Sequence, residues 1–234
     1  MYQVSTLQAL LLGYFKGVIS VGQLLMHGEI GLGTFEDVNG EMIVIDHKAY
    51  KADNQGNVRR ADLKEGVPFA AVAHMEDSIA FDIPAGSSVN ELKEALNELI
   101  DEDFGLNSMY VVRLDGFFSK LDARSELGQH SQHIELSEVL KLNQKDFEFH
   151  DKKGSLVCIY FPDYMDGINA AGWHFHFISE DRKLGGHVFD LSYGQLSGIR
   201  SQLHKIQIQL PTDKSFDTYE LKSVSKDEVK KVEQ

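Results

Sequence analysis

The sequence predicts an α+β fold: mixed, mainly antiparallel sheets arranged in two lobes, with a few flanking helices. Three observations carry the prediction. Asn39-Gly40 separates two β-prone runs, a strong hairpin signal because both turn positions favour residues that tolerate positive φ. Residues 87–105, SSVNELKEALNELIDEDFG, form the clearest amphipathic helix, and strand-like runs dominate the second half of the chain. With 234 residues and 42% apolar content, the chain can bury a core as one large domain or two small ones. The expected division is an N-terminal mixed-sheet lobe over residues 1–105 and a C-terminal β-rich lobe over 106–234, packed as one compact unit.

The first 30 residues read as two short helices. In the second, Ser20 and Gln23 match a capping box, Leu24, Leu25 and Met26 supply the apolar face, and Gly28 fits a left-handed stop. Residues 33–38 and 41–46 should pair as antiparallel strands around Asn39-Gly40. AYKAD, the turn NQGN and VRRAD extend the meander, and VPFAAVAHM is apolar enough for a buried strand.

In the helix at 87–105, Ser88 and Glu91 form a capping box, and Val89, Leu92, Ala95, Leu96, Leu99 and Ile100 make a stripe that should cover a sheet. MYVVRLDGFFSKL is the next strand, residues 122–132 read as a polar stretch containing loop, and LSEVLKLN is a short helix. KDFEFHDKKG reads as polar connection, SLVCIYFPDYM as strand, and LHKIQIQLP as the final strand before a charged tail.

Charge excludes several functions. The 23 Lys and Arg against 36 Asp and Glu give a formal net charge of -13 without a basic stripe, so nucleic acid is not an expected partner. An anion-binding pocket in such a chain must carry its own local positive charge. Cys158 is the sole cysteine, which excludes an intrachain disulfide framework. The apolar run LQALLLGYF is too short to span a bilayer and lacks the flanks of a signal peptide, so the expectation is a cytoplasmic protein without a membrane partner.

GWHFHFISEDRKLGGHVFDL carries the strongest chemical signal. On a strand, His174 and His176 project to one side while Phe175 and Phe177 project to the other. If Ser179 pairs with Gly186 across a six-residue turn, His187 lies opposite Ile178 on the histidine side; a one-residue slip would reverse it. Three neutral imidazoles with open positions suit zinc and other borderline metals. HSQH, with His130 and His133, has helical spacing but sits in a polar stretch, where a surface role is expected. Glu41 alternates with Ile43 and Ile45 and therefore shares an apolar face, or it merely flanks the turn. Arg124 in DARSE and Arg113 within a strand compete as the functional arginine.

Together, GLGTF with NGEMIVID, VRLDGFF with ARS, and the block from PDY through GWHFHFISEDRKLGGHV resemble the α-acetolactate decarboxylases, in matching order from the second helix to the tail. The resemblance implies a two-lobed, zinc-dependent cytoplasmic enzyme, usually a homodimer, that converts 2-acetolactate to acetoin and carbon dioxide through a metal-chelated enediolate. It implies His174, His176 and His187 as the zinc ligands and Glu41, Thr34 and Arg124 as active-site residues. It also implies a tail glutamate, with Glu233 the most natural match and Glu220 and Glu228 nearby. An edge strand near residues 33–60 is a candidate dimer interface. The alternatives are a metal-dependent oxygenase or isomerase, and a non-catalytic metal-binding module.

Overall fold

The computed structural model describes residues 1–103, 105–129 and 133–221. The chain opens with β1 (Tyr2–Val4), α1 (Leu7–Leu11), β2 (Ile19–Ser20), α2 (Val21–Leu24), β3 (Ile30–Thr34) and β4 (Glu41–Ile45). It continues through β5 (Lys48–Ala52), β6 (Val58–Arg60), β7 (Gly66–Val67), β8 (Ala70–Ala73), β9 (Ile79–Ile83) and α3 (Val89–Asp103). The second half contains β10 (Met109–Glu126), α4 (Leu136–Asn143), β11 (Gln144–Phe161), β12 (Gly172–Ser179), β13 (Gly185–Leu203) and β14 (Gln207–Gln209).

The α+β expectation holds. One sheet has the order β14-β1-β8-β3-β4-β5-β6, antiparallel except where β14 runs parallel to β1. A second has the order β10-β11-β12-β13-β9, an added β10–β13 pairing closes four of its strands on themselves, and β2 and β7 form a separate antiparallel pair. The chain crosses between them: β9 joins the second sheet, α3 packs against β13, and β14 returns to the first. Among the described residues, no helix is long and apolar enough to cross a membrane.

Strand alternation places the site. On β4, Ile43 and Ile45 pack with Val157, Ile159 and Ile178 in the layer between the sheets, while Met42 and Val44 face the opposite core. On β12, Trp173, Phe175 and Phe177 enter the core beneath α3, so the faces of β4 and β12 that carry Glu41 and the histidines meet between the sheets. Trp173 Nε1 donates to Asn97 Oδ1 at 2.8 Å, tying β12 to α3.

Several local expectations are corrected. Asn39-Gly40 does not form a two-residue turn; β3 and β4 pair from Thr34 opposite Glu41, across a six-residue loop. Asp37, Val38 and Gly40 adopt positive φ, whereas Asn39 has φ −94°. Burying Phe35 and Val38 favours this longer loop over a tight turn. Gly28 does not have positive φ; a Cβ there would lie 2.6 Å from the Ala73 backbone nitrogen, so its role is close approach.

The polar residues from 122 onward continue β10 as far as Glu126, and the supposed connection KDFEFHDKKG lies within β11. Tertiary packing overrides the polar composition. Phe147 and Phe149 alternate toward the core while their neighbours face outward. Leu203 ends β13, so the final strand shortens to β14.

Candidate metal centre

The β12–β13 hairpin brings the three histidines together. Its register pairs His176 with His187 and Ile178 with Gly185, two residues from the sequence expectation. Because side-chain direction has a period of two, this shift keeps His187 on the histidine face. His174 Nε2 lies 2.9 Å from His187 Nδ1 and 3.2 Å from His176 Nε2. One ligand atom from each ring falls within a 4.8 Å set. Tetrahedral zinc–nitrogen bonds imply nitrogen–nitrogen separations of about 3.3 Å, so the spacing and donor chemistry fit a divalent metal.

Electrostatics supports the same use. Burial first, then the positive charges of Arg124 and Lys93, lower the His174 pKa to about 3. Burial also drives His176 well below its ordinary value, with His174 and Arg124 acting in the same direction against the bond to Met42. Both rings are therefore neutral near pH 7, with a lone pair available. The Met42 carbonyl can only accept a hydrogen bond, so His176 Nδ1–H donates to it at 2.8 Å and leaves Nε2 as the ligand atom.

Glu41 opens β4 beside this cluster. Its carboxylate oxygens lie 3.5 Å from His176 Nε2 and 3.9 Å from His187 Nδ1, close enough to provide a fourth ligand or a proton. Ser125 fixes its backbone: the hydroxyl accepts from Glu41 N at 3.2 Å and donates to Ala52 O at 2.9 Å. Thr34 directs its hydroxyl to Gly40 O at 3.0 Å, so it shapes the loop before Glu41. Gly33 permits close strand approach, since a Cβ there would sit 2.4 Å from Phe69 O.

Arg124 lies opposite His187 on β10, with Nη2 3.2 Å from His187 Nε2 and only 9% of the residue exposed. Arg113 pairs with Asp46 and Asp115 instead. One cavity is lined by Thr34, Glu41, Arg124, His174 and His187, with an apolar wall including Leu10, Val38, Phe69, Leu136 and Leu140. His176 is fully buried behind this lining. His133 is exposed and stacked 4.1 Å from the Tyr219 ring, whereas its companion His130 lies outside the described residues.

Glu220 is exposed, while Glu228 and Glu233 lie outside the described residues. Tyr219 anchors the described tail by donating to Gly13 O at 3.1 Å. Sequence patterning does not single out Ser125, Glu126, Gln144 or the apolar wall. Alternation along 122–126 is the signal that could have found Glu126: a strand extended through these residues puts it on one face with Arg124.

Fold and geometry define an α+β protein with a buried three-imidazole centre opening into a mostly apolar cavity. The family model described as alpha-acetolactate decarboxylase matches residues 1–223. The chain belongs to the alpha-acetolactate decarboxylase family. It is 34% identical to the Brevibacillus brevis alpha-acetolactate decarboxylase over 233 residues, covering 100% of this chain and 80% of that protein. The Methanosarcina mazei relative has the same identity and coverage. The crystal structure of alpha-acetolactate decarboxylase from Bacillus subtilis strain 168 aligns with TM-score 0.92 and 28% identity, covering 99% of this chain and 98% of that one.

Proposed function

We propose that this chain decarboxylates 2-acetolactate to acetoin and carbon dioxide at a zinc centre. The carrying observation is the convergence of His174, His176 and His187 on one point beside Glu41 and Arg124, with Glu41, Arg124, His174 and His187 lining one cavity. The three imidazoles would hold the ion, with Glu41 available as a fourth donor. The ion would supply Lewis acidity to the adjacent hydroxyl and ketone oxygens of the substrate, a contribution of several kcal/mol in comparable sites.

The chain's own groups account for binding and proton delivery. In the metal-free contact, an Arg124 N–H donates to His187 Nε2. Metal on His187 Nδ1 would place the ring proton on Nε2 and oppose that contact. Arg124 can then turn to the substrate carboxylate, orienting the carbon–carbon bond to be broken. The apolar wall excludes water while carbon dioxide leaves. Glu41 or Glu233 would return a proton to the carbon that loses the carboxylate and would set product chirality. Homodimer formation and a cytoplasmic setting belong to the same reading, with β6 at the sheet edge as the candidate interface.

The test measures metal content, acetoin release and oxygen uptake together on purified protein. Acetoin release without oxygen uptake is expected, with metal and turnover both lost in His174→Ala. Oxygen consumption would favour an oxygenase, and stoichiometric metal without turnover would favour a binding module.

A further inference from the structure

Glu126 contributes a second carboxylate to the cavity, and the sequence pattern does not mark it. It is only 3% exposed, lines the same cavity as Glu41, Arg124, His174 and His187, and pairs with Gln144 on β11. Burying a carboxylate is costly, so its presence in a ligand cavity has a chemical consequence. Arg124 and Glu126 are separated by one residue on β10 and therefore share a strand face, about 7 Å apart along the strand.

The register gives this pair a direction. Arg124 lies opposite His187, whereas Glu126 lies one strand repeat farther from the histidine centre, beside Gln144. Along β10 the cavity therefore presents the metal centre, a cation, and then an anion.

We propose that Glu126 is a specificity-determining residue that limits the cavity to ligands with one carboxylate and an uncharged arm. The assignment rests on the proposed acetolactate site. A ligand carboxylate held by Arg124 places a second carboxylate near Glu126, where the two negative charges repel. An alkyl or acetyl arm meets the apolar wall without that repulsion. Specificity then arises from an unfavourable interaction with the competitor as well as from attraction to the substrate.

Calorimetric titration of zinc-loaded protein tests this with 2-hydroxy-2-methylbutanoate and 2-hydroxy-2-methylsuccinate, which differ by a terminal methyl or carboxylate. Acetoin release from the same wild-type preparation tests the underlying site reading. Wild type should favour the monocarboxylate, and Glu126→Gln should move the affinity ratio about tenfold toward the dicarboxylate. Gln144→Lys, which places a compensating cation opposite Glu126, should move the ratio in the same direction and serves if Glu126→Gln does not fold.

A ratio unchanged within about twofold in the folded variants, with wild-type acetolactate turnover present, would overturn the Glu126 assignment alone. Wild-type protein that binds neither acid and does not turn over acetolactate would overturn the underlying site reading as well.

Discussion

Ser125→Ala tests whether Glu41 is held by its strand or only by its charge. The Ser125 hydroxyl is fully buried and bridges Glu41 N and Ala52 O, so truncation leaves a donor and an acceptor without this partner. At about 1–3 kcal/mol for each group left unsatisfied, and with Glu41 N only partly buried, the expected destabilisation is about 2–4 kcal/mol. For a chain of this size, that corresponds to a melting-temperature loss of roughly 5–15 °C. Urea denaturation measures the stability change, while metal titration and steady-state kinetics measure the site. Below the melting transition, displacement of Glu41 should lower kcat by about tenfold, with a smaller effect on KM. A variant within about 0.5 kcal/mol of wild type, with unchanged metal affinity and kcat, would refute this account of Ser125.

Further perturbations separate the roles of neighbouring groups. His176→Ala should weaken zinc binding by more than about 100-fold, since removal of even an outer hydrogen-bond partner can cost 10–100-fold; competition with a chromogenic chelator checks this. Arg124→Ala should lower kcat/KM by about 10–100-fold, as expected for loss of a charge-assisted hydrogen bond, while retaining zinc; metal analysis alongside kinetics checks both parts. Gly33→Ala should destabilise the first sheet by at least about 2 kcal/mol because its Cβ meets the Phe69 carbonyl, measurable by urea denaturation. At Glu65, burial raises the pKa, but bonds from Arg59, the Asp62 backbone and Lys51 outweigh it and bring the value to about 2. Its stabilisation is present above the ordinary carboxylate range and is lost as pH falls toward 2. Glu65→Gln should therefore cost about 1–2 kcal/mol at pH 7 after solvent screening, with the difference shrinking below pH 4.

The histidine centre was legible because His-x-His needs only strand alternation, and the two-residue error in hairpin register preserved side-chain direction. Glu41 was legible for the same reason, through its alternation with Ile43 and Ile45. The hairpin loop was not, because burial of Phe35 and Val38 depends on residues distant in sequence. The long β10 and β11 strands were also obscured by charged residues whose side chains point outward. A β10 ended too early leaves Arg124 without a defined face and hides Ser125 and Glu126. The apolar wall combines residues from Leu10 to Leu140, a convergence that local periodicity does not specify.

The most direct test of the central claim tracks acetoin and carbon dioxide release from racemic acetolactate before chelation, after chelation and after zinc return. The account predicts that equal amounts of both products form initially, that turnover disappears when the metal is removed, and that it returns with zinc. Undiminished turnover after verified removal of all metal would contradict the central claim.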